Sequence, residues 1–558
     1  MFILGISGKL DGHDPSAALL KDGQLLAAAE EERFVRVKHA SGRFPYHAMV
    51  WCLTSAGISI DDVDFAVLGW DPRRQPDAPE PASANELRDL MLPPVLFPRK
   101  RNIAVERVPH HLAHAAYAFY ASPFEEAAAL VVDGSGERES ISVFRCNQSG
   151  VERVWSLPFA NSPGFFYEAL TRFVGMAMFD EGKTMGLAPY GTDRFYLPSM
   201  LDTPPLPPVA EPDAKHYLDI LKAWQQVFEK RCGIVANPRL PVYSSEEGRA
   251  AAKAKDIPQI YRDVAYAGQR RLEEDLLGLA RQALQAVGTS NLVVAGGVAL
   301  NCVANGYLAH ALEPSVTLYV PPAAGDAGIS LGAALYLSAQ QGHRPRLTDA
   351  HVFSGPHFSR GDVADLFRTW GLQFEAPDDV TTALVEDLAE GRIVGFVQGR
   401  AELGPRALGA RSLLADPSRG DMHARMNKLK KREAWRPLAP SVPVERVREV
   451  FGHSVSSPFM LMSYPTSPAM RLRIPAVVHV DGSTRPQVVD PNLNAGFYRL
   501  LDQFARATGT PALLNTSFNV DEPMVATPAH AVRTFTTSAI DTMAIEGLLV
   551  RKAANTKP

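Results

Sequence analysis

The sequence predicts an α/β protein in two parts, the first of them internally duplicated. Three observations carry this reading. A strand, a glycine-punctuated loop and a hairpin open the chain, and the same plan returns after Asp133. Further on, two buried strands each give way to a glycine loop and then a helix, the junction at which open α/β sheets bind ligands. Near residue 343 the texture turns polar and proline-rich, and a second α/β pattern begins. The expected organisation is a first domain over 1–345, a linker over 346–359 and a second domain over 360–558.

Composition narrows the function classes. The 558 residues are 46% hydrophobic and 21% charged, ordinary for a globular protein with more than one core. A formal net charge of −4 provides no basic field, so nucleic acid is not an expected partner. The cysteines Cys52, Cys146, Cys232 and Cys302 form no CxxC pair, which excludes zinc ribbons and fits a reducing cytoplasm. No apolar run is long enough to span a bilayer, and MFILGISGKLDGHD reads as a strand and turn, so no membrane association is expected and the predicted location is cytoplasmic.

In chain order, Phe2–Ile6 is a short apolar strand, followed by the loop Ser7–Asp14 that contains Asp11 and His13. Strands at Ser16–Leu20 and Gln24–Ala29 flank an Asp22-Gly23 hairpin turn. Pro45–Gly57 reads as an amphipathic helix, Phe65–Trp70 as a buried strand, and 71–103 as an irregular surface excursion rich in Pro and Arg. Then comes VPHHLAHAAYAFYASPFEEAAALVVDGSGE, residues 108–137, helical until Pro123. His110 and His114 are four apart and share a helix face, the spacing that lets two imidazoles reach one ion. The alternative is a histidine-rich helix cap. Ala127–Val132 reads as a buried strand ending in Asp133 and the Gly134-Ser135-Gly136 turn, where the carboxylate is placed to add an oxygen ligand.

Phe166–Val174 is helical and leads into Phe179–Gly191, read as another glycine loop, which includes Lys183. A proline-rich insertion near 200–215 and helices at 216–231 and 258–287 follow. Leu292–Ala295 then opens into Gly296-Gly297 and a helix beginning near Asn301, a place where backbone N–H groups approach a phosphate closely. Val316–Val320 ends in a loop containing Asp326, ahead of the small-residue helix Ile329–Ala339. In the second part, helices near 361–370 and 380–390 precede a strand at Ile393–Val397. Four later segments gather Arg, Lys, Ser and Asn at turns, the groups that bind phosphate and carboxylate oxygens: 398–412 with Arg406 and Arg411, Lys428–Arg436, Ser483–Gln487 with Arg485, and Asn515–Asn519. For Lys428–Arg432 a solvated basic face is the competing reading.

Taken together, HDPSAALL, HHLAHAA, VDGSGE, GKTMGLAPYG, AGGVALN, GPRALGARS, WRPLAPS, STRPQ and NTSFN resemble the O-carbamoyltransferase family that includes nodulation-factor, cephamycin and aminoglycoside enzymes. The resemblance implies a duplicated, actin/Hsp70-like (Kae1-like) N-terminal domain and a YrdC-like C-terminal domain. It implies carbamoyl-adenylate formation from carbamoyl phosphate and ATP, with Mg²⁺, in the second domain, and transfer to an acceptor hydroxyl of a natural product in the first. By motif position His110, His114, Asp133 and Asp326 would hold a divalent metal, iron in the best-known relative, with Mn²⁺ and Zn²⁺ also suited to the donor set. Asp11 and His13 match the acceptor-activating pair, although an Asx-turn role for Asp11 stays open. Lys430, Arg436 and Arg485 match carbamoyl and phosphate contacts, and Arg406, Ser517 and Asn519 match nucleotide or carbamoyl contacts. Gly134, Ser135, Lys183, Gly296, Gly297 and Asn301 are the expected cofactor-binding positions of the first domain. A homodimer is compatible with this reading. The rival readings are a tRNA threonylcarbamoylation enzyme, disfavoured by the net charge, a hydrogenase-maturation carbamoyltransferase, which would need CxxC zinc fingers, and an actin/Hsp70-like regulatory ATPase, which leaves the Lys/Arg/Asn segments unexplained.

Overall fold

The computed structural model describes residues 1–8, 12–71, 83–202, 204–207, 209, 214–238, 254–312 and 314–552. Two compact units emerge, Met1–Pro238 with Asp263–Ser354, and Arg239–Arg262 with Gly355–Pro558.

The first unit holds two five-stranded sheets of the same design. One contains β1 (Phe2–Ser7), β2 (Ser16–Lys21), β3 (Gln24–Glu30), β4 (Phe65–Leu68) and β5 (Ala104–Arg107), in the order β3-β2-β1-β4-β5. The other contains β6 (Ala127–Val132), β7 (Glu139–Asn147), β8 (Gly150–Pro158), β9 (Asn291–Ala295) and β10 (Thr317–Tyr319), in the order β10-β9-β6-β7-β8. In each, the first strand pairs antiparallel with the second and parallel with the fourth. The duplication read from loops and hairpins is therefore a duplication of sheet topology. The central strands β1 and β6 are apolar runs buried almost end to end, as strands covered on both faces must be.

Two helices pack closely in this unit. His110–Ala121 carries no Gly or Pro, and every residue except Leu112 is buried. Ile329–Gln340 crosses it where Gly332 meets Ala113, and a Cβ on residue 332 would lie 2.0 Å from the Ala113 carbonyl oxygen. Only glycine permits that approach.

The second unit is built on a seven-stranded mixed sheet. Its strands are β11 (Val394–Val397), β12 (Arg411–Ala415), β13 (Ala439–Pro443), β16 (Gln487–Val489), β17 (Leu513–Ser517), β18 (Thr542–Ile545) and β19 (Leu548–Arg551), in the order β16-β13-β17-β12-β11-β18-β19, while β14 (Tyr464–Pro465) pairs separately with β15 (Ser483–Thr484). Period-two alternation splits its core between the sheet faces: Leu413 and Ala415 join one hydrophobic cluster, Leu414 the other.

Two expectations are corrected. The 71–103 excursion is not irregular throughout: Ala84–Met91 is a helix capped by Ser83, whose hydroxyl accepts from Glu86 N–H at 3.2 Å. Its apolar residues Leu87 and Met91, four apart, are buried on one face, a signal that the surrounding Pro and Arg obscured. Likewise 179–191 is not a loop. Glu181–Leu187 is an α-helix and Ala188–Tyr190 a 3₁₀ turn, with Gly182 and Gly186 tolerated inside the short helix. Among the described residues no helix is long and apolar enough to cross a membrane.

Candidate functional site

One helix and two turns in the first unit converge on one acidic and imidazole-rich point. Helical spacing puts His110 and His114 on one face, and both point at the end of β6. His110 Nε2 lies 3.2 Å and His114 Nε2 3.1 Å from Asp133 Oδ2, and the same two nitrogens lie 3.7 and 3.6 Å from Asp326 Oδ1. One ligand atom from each of the four residues falls within 4.8 Å of the others. A metal with ligand distances of about 2.0–2.2 Å spaces its ligands by about 3–4 Å, so the donor set fits a divalent ion after small adjustments. His111 faces away: its Nδ1 lies 2.8 Å from Ser142 Oγ, and it belongs to the packing around Gly136.

Backbone amides aim the carboxylate of Asp133. Its Oδ1 accepts from Gly134 N–H at 2.7 Å and from Gly297 N–H at 3.1 Å, which leaves Oδ2 toward the histidines. Gly296 makes this possible. At φ 96° it sits where a Cβ would come 2.2 Å from Val132 O. The electrostatics match the geometry. Burial alone would lower the His114 pKa, but Asp133 and Asp326 overcome it and hold the ring up at about 9. Asp133 is driven well below the carboxylate range, since its bonds to His110 and His114 outweigh its burial.

His13 adjoins this quartet, with Nδ1 2.9 Å from Asp14 Oδ2 and 4.0 Å from Asp326 Oδ2. Burial works against its charge, yet Asp326 and Asp14 hold it at about 9. Sequence reasoning missed His39, whose Nδ1 lies 3.0 Å from Asp14 Oδ1 and whose ring stacks on Phe179 at 4.4 Å. Asp14, His39 and Phe179 all hold positive φ, a strained arrangement that persists where surrounding contacts over-determine it. Asp11 lies outside the described residues.

Of the expected cofactor positions, Gly134 and Ser135 are half-buried beside Asp133, and Gly297 abuts the same carboxylate. Lys183 stands on the Glu181–Leu187 helix, 2.8 Å from Asp180 Oδ1. Asn301 is committed to the scaffold: Oδ1 accepts from Ala304 N–H at 3.0 Å, and Nδ2 donates to Gln269 Oε1 at 3.0 Å.

The second unit brings Lys430, Ser517 and Asn519 together. Lys430 Nζ donates to Ser517 O at 2.5 Å and to Asn519 Oδ1 at 2.6 Å, and Ser517 Oγ bonds Asn519 Oδ1 at 2.8 Å. Three of the four basic and polar segments are stitched, with Ser441, by a buried network. Gln487 Nε2 donates to Leu408 O at 2.8 Å, Asn515 Nδ2 to Ala407 O at 3.2 Å, and Ser441 Oγ to Gln487 Oε1 at 2.7 Å. Glu402, buried and absent from the sequence reading, folds the Gly404–Gly409 turn by accepting N–H bonds from Leu408, Ala410 and Arg411 at 2.7, 2.8 and 3.1 Å. Arg411 is structural: its guanidinium donates to Pro356 O, Ala410 O and Gly399 O at 2.7, 2.9 and 3.1 Å. Arg406 is half-buried in the turn.

Arg436 and Arg485 act electrostatically on Arg432, for which the sequence left a solvated face as the competing reading. Its Nε donates to Asn427 Oδ1 at 2.6 Å, while Nη2 is buried with no hydrogen-bond partner among the described residues. Burial, reinforced by Arg436 and Arg485, holds its guanidinium well below the ordinary arginine range, and Glu433 opposes them. Three mutually repelling guanidiniums, one with an orphaned donor, make a site suited to a multiply charged oxyanion. The signal for Arg432 lay in its apolar flanks, Leu429 and Trp435, which are buried.

These two constellations, one of imidazole and carboxylate and one of guanidinium, lie in stretches that match a known family. The profile described as Carbamoyltransferase N-terminus matches residues 2–79 and 95–335, and that described as Carbamoyltransferase C-terminus matches 385–552. The chain belongs to the carbamoyltransferase family. It is 34% identical to the nodulation protein NolNO of Sinorhizobium fredii, over 99% of this chain and 83% of that one. It is 29% identical to nodulation protein U of the same organism, over 91% and 92%. Among solved structures, component A of Acidaminococcus fermentans (R)-2-hydroxyglutaryl-CoA dehydratase overlays 61% of this chain and 99% of that chain with a TM-score of 0.36 at 17% identity, too distant a likeness to bear on function.

Proposed function

We propose that the protein is an ATP-dependent O-carbamoyltransferase acting on a hydroxyl of a small natural product. The observation that carries this is the pairing, in a carbamoyltransferase chain, of a cationic site in the second unit with a His₂Asp₂ quartet in the first. In this reading the second unit is YrdC-like and the first Kae1-like, of the actin/Hsp70 class.

In the second unit, carbamoyl phosphate, water and ATP give carbamoyl-adenylate, phosphate and pyrophosphate. The carbamoyl C–O bond to phosphate breaks, and the resulting carbamate oxygen displaces pyrophosphate from the α-phosphorus. Such displacements need cationic stabilisation of oxyanion charge more than a protein nucleophile. Arg432, Arg436 and Arg485 neutralise the phosphate oxygens, assisted by Arg406 and Mg²⁺, while Lys430, Ser517 and Asn519 shape the carbamoyl end.

In the first unit the acceptor oxygen attacks the carbamoyl carbon, and AMP leaves with the bonding electron pair. His110, His114, Asp133 and Asp326 would hold a divalent ion, Fe²⁺ first with Mn²⁺ or Zn²⁺ as alternatives, which would supply Lewis-acid charge. In this reading Asp11 and His13, the imidazole in its neutral form, take the hydroxyl proton. Gly134, Ser135, Lys183 and Gly297 border the nucleotide.

The test is a panel of aminoglycoside, macrolactam, cephem and oligosaccharide alcohols, scored by mass spectrometry for addition of one carbamoyl group. The proposal requires an adduct that depends on both carbamoyl phosphate and ATP. An adduct formed equally well without ATP would overturn it.

A further inference from the structure

His110 is the first residue of its helix, where a backbone N–H has no intrahelical acceptor. The preceding residue, Pro109, provides no side-chain cap. A cap nonetheless arrives from elsewhere in the chain. Glu137, 0% exposed, accepts from His110 N–H at 2.9 Å, and the same Oε1 accepts from Asp71 N–H at 2.9 Å. A carboxylate there also suits the positive end of the helix dipole.

Where Glu137 originates matters more than the cap itself. It stands in the turn that begins at Asp133, and that turn is pinned by Asp133 N–H to Ser140 O at 2.9 Å and Gly136 N–H to Glu139 O at 2.6 Å. One side chain thus ties the helix that presents both histidines to the loop that presents Asp133. His114, a turn further in, is fully buried. His110 sits at the helix end, with the edges of the His114 and Trp70 rings beside its own at 4.7 and 5.1 Å.

We infer that Glu137 is the positioning residue of the metal quartet, fixing His110 against Asp133 without itself being a ligand. The inference rests on the proposed metal reading of that quartet and extends it to the supporting layer. Outer-shell partners of this kind change metal affinity by about 10–100-fold.

The test uses the full-length chain, stripped with chelator and titrated with Co²⁺, following affinity and the d–d absorption bands, with circular dichroism to confirm folding. Glu137→Ala is expected to weaken Co²⁺ binding about 10–100-fold and to shift the bands toward those of His110→Ala. The double variant Glu137→Ala/His110→Ala should lose little beyond His110→Ala alone, because Glu137 acts only through the placement of His110. Glu137→Gln keeps a side-chain oxygen for both N–H groups and should bind within about threefold of the parent chain. Wild-type affinity in Glu137→Ala, fully additive losses in the double variant, or a Glu137→Gln defect as large as that of Ala would each overturn the positioning role. A parent chain whose Co²⁺ binding is indifferent to His110→Ala and Asp133→Asn would instead overturn the metal reading beneath it.

Discussion

Gly332 and Ala113 fix the distance between the two helices that frame the quartet, for a Cβ on residue 332 would stand 2.0 Å from Ala113 O. Ala113 immediately precedes His114, and Gly332 stands in the helix that begins directly after the 3₁₀ turn Asp326–Gly328. Gly332→Ala therefore pushes the histidine-bearing helix away from Asp326. It should cost about 1–3 kcal/mol in stability, read as a lowered melting temperature, and weaken metal binding beyond what a distant substitution of equal cost would do.

Asp326→Asn is expected to separate the two proposed half-reactions. Removing one of the two carboxylates facing His110 and His114 should abolish transfer to the acceptor while carbamoyl-adenylate formation in the second unit continues. Product analysis with and without acceptor reads both steps. Loss of adenylate formation in a folded variant would show that the steps are not divided in this way.

Arg432→Met tests the residue that the sequence left open between two readings, alongside Arg485→Ala. Each removes one guanidinium from the anion site, and each should lower pyrophosphate release by about 10²-fold or more while metal content stays normal. Full-rate pyrophosphate release in either variant would remove that residue from the site.

Acid stability offers a test remote from the chemistry. His351 is buried, with Tyr117 Oη donating to Nε2 at 2.9 Å and Nδ1–H donating to Thr348 O at 2.8 Å. Burial pushes its pKa down from 6.5 to about 4, against the Thr348 hydrogen bond. The unfolded chain therefore binds a proton that the folded chain refuses, so this stability is complete above pH 6.5 and is lost as pH falls toward 4. The loss amounts to at most about 3 kcal/mol, and urea midpoints of His351→Gln should fall less steeply over that window than those of the parent chain.

These residues show where the sequence could be read and where it could not. His110, His114 and Asp133 were legible because helical period, strand end and glycine turn are local signals. Asp326 needed only the rule that ligands gather at strand ends. His39 and Glu137 were not legible, since each acts through a contact made by the folded chain: His39 reaches Asp14 from 25 residues away, and Glu137 reaches His110 from 27. The same holds for Glu402 and the Gln487–Ser441–Asn515 network, polar residues whose burial no composition window reveals. Arg432 was left open between an oxyanion contact and a solvated face for a different reason. A run of Lys and Arg looks solvated until the burial of Leu429 and Trp435 shows that it turns inward. Within 346–359, read as a linker, His351 and Val352 are buried, because the polar composition of the segment hides their packing.

The central claim is that the cationic site activates carbamoyl phosphate with ATP, and it is tested most directly without any acceptor. The purified chain is incubated with carbamoyl phosphate, ATP and Mg²⁺, and pyrophosphate, AMP and carbamoyl-adenylate are followed by mass spectrometry. The account predicts pyrophosphate release that depends strictly on carbamoyl phosphate and disappears in Arg485→Ala. ATP hydrolysis indifferent to carbamoyl phosphate would contradict it.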